Sequence, residues 1–378
     1  MQLVSSAWVA AQAKNIVDES FIELTLQIGN QGTKTFTKRG LTSFSHEIES
    51  NLLSATIPIN TISWTIDNSK HSWDITYPEN YARFLVKASK ITVRYGVKTS
   101  DGIEWIPGGV FYLSEWTTPA NGIEASFKAS SSLSYLSDIY TGKRSGTLFE
   151  IATEALKQMT LPNGDTVQYS IDDSLKELTA DFQQDTSEYT CAEIVQLVAN
   201  AGCCVMLYDR LGMIHIHPLS KVMSGYLLSL DKSYQYPEFE LSKEIKSIEV
   251  SYAGGTATVP GSGQGNIQTV KNSLINTQER ALTVGNWTAT TLIDRKTLKA
   301  SYRADPRLDV LDRVVMEHQN GQTSTAVITA IKYSFDGSWI GNVEGRILEP
   351  LSSFGYANES YSMDSGDVIP VLESEVTA

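Results

Sequence analysis

The chain is poor in the two residue types that most often build metal sites and cross-links. It has three cysteines and five histidines among 378 residues. Cys203 and Cys204 are adjacent, and Cys191 is the third. An odd, clustered set of three is not a disulfide framework, so we expect all three thiols to be reduced and buried. Reduced cysteines favour assembly in a cytoplasm.

Long apolar runs and an excess of positive charge are also missing. No run approaches the roughly 20 apolar residues that a membrane-spanning helix needs. Residues 1–17 lack the basic region of a secretory signal and are predicted to form a short amphipathic helix. Thirty basic residues stand against 43 acidic ones, a net charge of −13. This balance argues against a dedicated nucleic-acid binder and against adhesion to anionic lipid.

What is present indicates a globular, mainly β protein of two or three domains. The apolar fraction is 41% and the charged fraction 19%, and the length exceeds what one core usually fills. Alternating apolar residues, as in Phe21–Ile28, and turns such as Asp101-Gly102 predict antiparallel strands. We predict two antiparallel β-barrel-like domains flanking a small α+β helix–hairpin insert. The predicted boundaries are an N-terminal helix 1–17, a first β-barrel domain 18–144, an insert 145–220, a second β-barrel domain 221–350 and a flexible acidic tail 351–378.

The middle of the chain carries the clearest local signals. Thr190 and Glu193 form a capping-box pattern at the start of an apolar helical stripe. Gly202 is expected to stop that helix in a left-handed conformation. The strands Cys203–Tyr208 and Met213–His217 then predict a hairpin.

Other segments give less specific expectations. Thr147 and Glu150 form a second capping box and predict another helix. We expect a strand over Leu52–Thr65 and a mobile glycine-rich loop over Ala253–Gly265. Val110–Trp116 is predicted to be a strand whose sheet edge needs covering.

One group of residues has the chemistry of a zinc site. His215 and His217 share a face of a predicted strand, with Cys203 and Cys204 across the hairpin. The chain has no CxxC or HxxxH spacing, and His217 simply precedes a proline at the strand end. We therefore predict no metal and no cofactor.

No pattern indicates an enzyme. Residues 261–265 are glycine-rich but lack the strand before and helix after that a phosphate loop requires. The acidic pairs Asp172-Asp173 and Asp18-Glu19 are neighbours whose side chains point apart. No GxSxG or other nucleophile signature occurs. We predict neither catalytic nor cofactor-binding residues.

Aromatic residues of the first β region have two possible roles. They could stack on sugars, or they could fill a β core or a protein interface. The residues concerned are Trp64, Trp73, Tyr77, Tyr81 and Trp105.

Five segments resemble, in the same order, stretches of the tail hub proteins of tailed bacteriophages and related contractile injection machines, also called baseplate hub or tail-associated proteins. They are Ile62–Pro78, Gly109–Ala129, Leu133–Thr141, Leu197–Pro218 and Ala304–Val315. The most telling is Leu197–Pro218, in which a helix ends at Ala-Gly and a hairpin follows whose second strand reads Gly-x-Ile-x-Ile. The resemblance spans residues 18–350.

The resemblance implies a structural virion protein without catalysis. Such a hub is a homotrimer at the tail tip or baseplate, assembled in the host cytoplasm, whose partners are the tail tube or distal tail protein and a spike, fibre or tape-measure protein. Two barrels per subunit present six units to the hexameric tube, and DNA passes through the lumen during ejection without specific binding. The alternatives are a carbohydrate- or receptor-binding tail protein for host attachment and a cell-wall hydrolase.

Overall fold

The computed structural model describes most of the chain in ordered stretches. These are residues 1–14, 19–29, 31–74, 81–118, 123–161, 163–182, 188–220, 223–293, 296–319 and 321–348. The predicted acidic tail 351–378 lies outside the described residues.

The helices in these stretches are α1 (Ser6–Ala13), α2 (Leu148–Gln158), α3 (Cys191–Ala201) and α4 (Gln278–Thr291). Both predicted capping boxes are confirmed. The hydroxyl of Thr147 accepts from the amide of Glu150, and the Glu150 carboxylate accepts from the amide of Thr147. Thr190 and Glu193 make the same reciprocal pair at the start of α3. The chain therefore encodes these two helix starts locally.

The predicted left-handed stop at Gly202 is wrong. Gly202 has a φ of −80°, and the next residue, Cys203, takes the positive φ of 55°. A Cβ atom on Gly202 would lie 2.4 Å from Cδ2 of Leu175. Packing against a neighbouring segment, and not backbone conformation, requires glycine at this position.

In chain order the strands are β1 (Ser20–Gln27), β2 (Thr33–Thr37), β3 (Leu41–Glu49), β4 (Thr61–Asp67), β5 (Lys90–Thr99), β6 (Gly102–Thr117), β7 (Glu124–Ser130), β8 (Ser145–Thr147), β9 (Gln168–Ile171), β10 (Thr179–Asp181), β11 (Val205–Tyr208), β12 (Met213–His217), β13 (Leu227–Leu228), β14 (Glu238–Leu241), β15 (Ile245–Tyr252), β16 (Gly255–Pro260), β17 (Asn266–Lys271), β18 (Lys296–Arg303), β19 (Arg313–Glu317), β20 (Thr323–Phe335) and β21 (Trp339–Leu348). The mainly β class is thus confirmed.

Thirteen of these strands form one large sheet. Its main path runs β14-β18-β21-β20-β3-β4-β7-β6-β5-β1-β2, and every step along it is antiparallel. The decisive contact is β20 beside β3, for example Tyr333 opposite His46. This pairing joins the strands of the two predicted β-barrel-like domains into a single sheet.

The chain has two hydrophobic cores. The first lies under the large sheet and is rich in aromatic side chains such as Trp64, Tyr95 and Tyr333. The second contains the buried faces of α2, α3 and α4, together with β11, β12, β15 and β16. The segment 221–350 therefore contributes to both cores, because β15, β16 and α4 pack with the insert while β18–β21 complete the large sheet. The domain boundaries themselves stay a prediction.

Three predicted segments take a different form in the structure. Only Thr61–Asp67 is a strand in the region predicted at Leu52–Thr65, because the preceding loop packs on the insert, where Ser54 Oγ donates to the Cys204 carbonyl at 3.0 Å. The predicted mobile loop 253–265 contains β16, which pairs with β15. The predicted edge strand 110–116 is part of the longer β6, which pairs with β5 from Gly102 to Tyr112 and with β7 from Tyr112 to Thr117.

The predicted hairpin is confirmed as β11 and β12, which pair from Val205 opposite His217 to Tyr208 opposite Ile214. A third strand, β9, joins them in parallel. Residues 209–212 form the tip of this hairpin, and the tip reaches the large sheet.

Candidate functional site

The hairpin tip inserts one buried cation into the large sheet. The guanidinium of Arg210 donates from Nε to Asp309 Oδ1 at 2.7 Å, from Nη1 to the Pro306 carbonyl at 2.6 Å and from Nη2 to the Leu308 carbonyl at 2.7 Å. Its side chain is 5% exposed. We call these four residues the Arg210 junction. The junction ties the second core to the first through one charge-assisted network.

The tip holds Arg210 in place through its neighbour Asp209. One carboxylate oxygen of Asp209 accepts from the amides of Leu211 and Met213, at 2.9 and 2.8 Å. The other lies 2.9 Å from Nε2 of His215. The loop is therefore closed on itself, which leaves Arg210 to point outward from the insert and into the sheet.

The receiving segment before β19 is held equally firmly. The hydroxyl of Tyr333 donates to the carbonyls of Asp305 and Leu308, both at 3.0 Å. The Asp305 carboxylate also binds the guanidinium of Arg307 and lies 3.1 Å from the hydroxyl of Tyr226. Because both partners are rigid, the junction fixes the insert relative to the sheet.

A buried histidine lies beside the junction. His46 is 1% exposed, and its Nδ1 lies 2.6 Å from the hydroxyl of Tyr95. Burial, and then the positive charge of Arg210, hold the pKa of His46 well below its usual 6.5. The imidazole of His46 is therefore neutral in the native protein, although the charged guanidinium of Arg210 lies nearby.

We expect this histidine to make the fold acid-sensitive. Below about pH 6.5, His46 becomes protonated in the unfolded chain but stays neutral in the native protein. The free energy of unfolding therefore falls as the pH falls from that value. Urea unfolding of the wild type and of His46→Phe between pH 7 and 5 tests this. The variant should show a shallower pH slope, by up to about 1.4 kcal/mol per pH unit. Equal slopes would mean that native His46 accepts the proton.

The outer side of the sheet is polar across strands from both β regions. Register places Ser130, Thr61, Glu47, Lys332, Asn342 and Ser301 in one row across β7, β4, β3, β20, β21 and β18. We define the polar face as a set of polar residues on the outer side of these six strands, where the apolar Val327, Ala330 and Ile340 also lie. They are Ser43, Ser45, Glu47, Glu49, Thr61, Ser63, Thr65, Asp67, Glu124, Ser126, Lys128, Ser130, Thr297, Lys299, Ser301, Arg303, Lys332, Ser334, Asn342, Glu344 and Arg346.

The polar face is neutral and shallow. Its five acidic and five basic side chains balance, and Lys332 pairs with Glu47 at 2.6 Å across two strands. A groove of about 430 Å³ crosses it, lined among others by Ser45, Ser63 and Lys128. Serine and threonine hydroxyls and paired charges give a hydrated surface, and this surface has no cluster of unpaired cations that would bind phosphate.

The histidines and cysteines that were considered as zinc ligands contact other side chains. His215 contacts Asp209, His217 Nε2 lies 2.8 Å from the hydroxyl of Ser170, and Cys203 Sγ is 3.4 Å from the guanidinium of Arg280. Cys191 and Cys204 are buried, and Cys203 is half-buried. Within the described residues, no three metal-ligating side chains converge.

We therefore expect chelation to leave the fold intact. A structural zinc ion contributes directly to folding, so its removal lowers the melting temperature. Thermal unfolding with and without EDTA should give the same melting temperature. A drop that is restored by added zinc would instead identify a metal site on the hairpin.

The glycine-rich loop and the acidic pairs have structural explanations. Residues 261–265 connect β16 to β17, a strand and not a helix, and the amide of Gln264 donates to the Glu244 carboxylate at 3.1 Å. A carboxylate thus occupies the side of the loop that a phosphate would need. Asp172 caps the turn at Ser174, and Asp173 pairs with Lys176 on the surface. The pair Asp18-Glu19 is only partly described, since residue 18 lies outside the described stretches.

Most of the aromatic residues considered for sugar stacking are buried or lie against other side chains. Trp64 is 1% and Trp73 is 4% exposed, so these two residues fill the core of the sheet, which is one of the two roles expected from the sequence. Tyr81 lies under Lys34 Nζ at 4.7 Å, and Arg94 covers the ring of Trp105 at 4.2 Å. Residue 77 lies outside the described stretches. The described rings therefore do not converge on one open sugar-stacking surface.

The fold is that of prophage tail proteins. The chain is similar to the 43 kDa tail protein of prophage MuSo2 from Shewanella oneidensis, at 17% identity over 85% of this chain and 97% of that one, with a TM-score of 0.58. It is similar to a tail protein from Neisseria meningitidis MC58, at 8% identity over 86% and 96% of the two chains, with a TM-score of 0.59. A prophage tail protein from Listeria monocytogenes EGD-e matches at 11% identity over 87% and 94%, with a TM-score of 0.50.

These likenesses bear out the resemblance to tail hub proteins at the level of the fold. No protein-family model and no curated protein matches the chain. None of the helices in the described stretches is long and apolar enough to cross a bilayer.

Sequence reasoning missed Arg210 as a key residue. The segment Ala304–Val315 was singled out for its resemblance, and it is the segment that receives Arg210. No local pattern distinguishes an arginine in a hairpin tip that is buried from one in solvent. The polar face was missed as well, although the alternation of β3 and β4 carried its signal.

Proposed function

We propose that this chain is a structural tail or baseplate hub of a bacteriophage-type virion. It acts without catalysis and joins a hexameric tail tube to a distal spike or fibre. Three copies form a ring at the tail tip, assembled in the host cytoplasm, and DNA leaves through the ring. One observation carries the proposal: a neutral polar face extends across six antiparallel strands drawn from both β regions.

The polar face suits a channel wall for DNA. Proteins that hold DNA place unpaired lysine or arginine side chains against its phosphates and release counterions. Here Lys332 is paired with Glu47, and Lys299 lies 3.4 Å from Glu240. Between them lie serine and threonine hydroxyls that hydrogen-bond water. Such a surface lets a polyanion pass without retaining it.

The joined β regions suit a threefold ring on a sixfold tube. Each copy brings two strand sets, on either side of the β3–β20 pairing, into one sheet. Three copies therefore present six sets, whereas a monomer or dimer leaves mismatched contacts on a hexamer.

Copy number and position in the particle test the proposal. Quantitative mass analysis of the assembled virion should give three copies of this chain, and labelled particles imaged by electron microscopy should carry the label at the tail tip. The unlabelled particle is the control. A location on the capsid, or any copy number other than three, would overturn the proposal.

The channel wall has a separate test. Ser63 lies in the groove of the polar face, so virions carrying Ser63→Cys and labelled with a bulky maleimide polymer should still adsorb but fail to deliver DNA. Asp101→Cys, in the exposed turn before β6, is the matched control and should deliver normally when labelled. Labelled wild type reports any background from the native thiols. Normal delivery by labelled Ser63→Cys virions would exclude this face from the channel.

A further inference from the structure

The chain is acidic as a whole, but one part of the first β region is basic. Two segments contribute to it: the end of the β1–β2 hairpin, and the segment 81–90 that leads into β5. Residues 28–40 and 79–90 together hold six basic residues and one acidic residue, Glu79, which lies outside the described stretches. In a chain with a net charge of −13, this is a local reversal of sign.

Contacts between side chain and backbone bring the two segments together. Lys34 Nζ, from β2, lies 4.7 Å from the centroid of the Tyr81 ring. A Cβ atom on Gly29, in the turn of the hairpin, would lie 3.3 Å from the carbonyl oxygen of Phe84. The basic residues of the hairpin and of segment 81–90 are therefore neighbours in the folded chain.

Hydrogen bonds hold part of segment 81–90 in a tight turn. The amide of Ser89 donates to the Val86 carbonyl at 3.2 Å, and Ala88 takes the positive φ of 65° that this turn requires. The Ala88 amide donates to the Leu113 carbonyl at 2.7 Å, which ties the turn to β6. Val86 is 57% exposed, and the next residue, Lys87, is exposed as well. The turn thus presents an aliphatic and a cationic side chain to solvent.

The cations of this surface have no carboxylate partner. Among the described residues, Lys34, Arg83, Lys87 and Lys90 form no salt bridge. The guanidinium of Arg83 lies instead over the neighbouring ring of Phe84, 4.5 Å from its centroid. Their charges are therefore available to an anion. We define the basic tip as these four cations and the two exposed apolar residues beside them: Lys34, Tyr81, Arg83, Val86, Lys87 and Lys90.

We propose that the basic tip binds the surface of an anionic phospholipid bilayer. The cations lie against the lipid phosphates, and each of them strengthens attachment by about fivefold. Val86 and Tyr81 enter the boundary between the headgroups and the acyl chains, where aliphatic and tyrosine side chains are stable. The net charge argues against general adhesion to lipid. Charges attract over only about 8 Å at physiological ionic strength, however, so the local charge decides the contact.

The apolar residues favour lipid over a nucleic acid. Proteins that hold single strands stack bases on the open faces of aromatic rings. One face of Tyr81 is covered by Lys34, and the ring of Trp73 lies 5.3 Å from that of Tyr81. An aliphatic side chain among the cations, as Val86 is, gains nothing from a phosphate backbone but gains free energy in a bilayer interface.

Binding of the purified full-length chain to vesicles tests the proposal. The chain should sediment with vesicles of phosphatidylglycerol and phosphatidylcholine in equal parts, and not with vesicles of phosphatidylcholine alone. Added salt should weaken the binding. Arg83→Glu/Lys87→Glu should lower it by more than about tenfold. No binding by the wild type, or binding unchanged in this double variant, would overturn the proposal.

A matched control separates the basic tip from net charge. Lys157→Glu/Lys271→Glu makes the same change in charge at two exposed lysines, one in α2 and one in β17. This control should bind anionic vesicles as the wild type does. Circular dichroism establishes that both double variants are folded. An equal loss of binding in the two would mean that the basic tip has no special part in it.

One further variant distinguishes lipid from other polyanions. Val86→Gln keeps every cation but removes the exposed aliphatic group, so vesicle binding should fall by about fivefold. A DNA oligonucleotide and a polyglutamate peptide, used as probes at physiological ionic strength, should not bind the wild type. Binding of either probe that is lost in Arg83→Glu/Lys87→Glu, or full vesicle binding by Val86→Gln, would overturn the choice of lipid.

This lipid contact does not depend on the proposed hub function. Three copies at the tail tip without vesicle binding would refute the lipid contact alone. A wrong copy number together with vesicle binding through the basic tip would refute only the hub.

Discussion

Replacing Arg210 with alanine should lower the free energy of unfolding by about 3–5 kcal/mol, the range for breaking a buried ion pair. The substitution leaves the Asp309 carboxylate without its cation and the Pro306 carbonyl without its donor, while the Leu308 carbonyl keeps only the Tyr333 hydroxyl. A buried acceptor that loses its partner keeps its full desolvation cost. No substitution of an exposed arginine has this consequence.

Urea denaturation of the purified chain measures the loss. Arg39→Ala, which removes an exposed arginine, is the matched control and should cost less than about 0.5 kcal/mol. The double variant Arg210→Ala/Asp309→Asn should be less destabilised than the sum of the single variants, because the second change neutralises the stranded carboxylate. A loss of under about 1 kcal/mol for Arg210→Ala would mean that the junction opens readily.

The Arg210 junction also predicts how the fold fails. It is a polar link between two hydrophobic cores, so its loss should let the insert and the large sheet unfold in separate steps. Two-state unfolding of the wild type and a broadened transition with a lower m-value in Arg210→Ala would reveal this. A single sharp transition in both proteins would mean that apolar contacts alone couple the cores.

Trp64→Ala should be of similar severity, at about 3–5 kcal/mol, because it empties a large site in the core of the sheet. The ring of Trp64 stacks on that of Phe127 with centroids 4.9 Å apart and planes 9° apart, and Phe36 lies at 6.1 Å. Close-packed interiors relax only partly around such a cavity.

Two variants make this prediction specific. Trp64→Phe keeps much of the stacking and removes an indole N–H that has no hydrogen-bond partner in the described structure, so it should cost much less. Trp105→Ala removes a half-buried tryptophan of β6 and should also cost less, because solvent fills the space. If Trp64→Ala unfolds at the urea concentration of the wild type, the aromatic core is not the main support of the sheet.

Local sequence determined the parts of the fold that short-range chemistry can specify. The capping boxes at Thr147 and Thr190 fix where α2 and α3 begin, since both partners lie within three residues of each other. The alternation of β1, β12 and β21 identified these strands because only one face of each is apolar. Residue chemistry likewise argued against zinc at His215 and His217; in the structure His215 contacts Asp209 and His217 lies beside the hydroxyl of Ser170.

Only the tertiary structure decided what long-range pairing controls. The pairing of β3 with β20 joins residues almost 300 positions apart, and no local pattern encodes which strand edges meet. The same holds for β16, whose glycine-rich sequence suggested a loop until β15 supplied a partner. Arg210 shows the difference most clearly. The neighbouring residues determine its turn, but its burial depends on a segment almost 100 residues away. An isolated turn leaves that side chain in water, and the folded sheet supplies the carboxylate and carbonyls that make burial favourable.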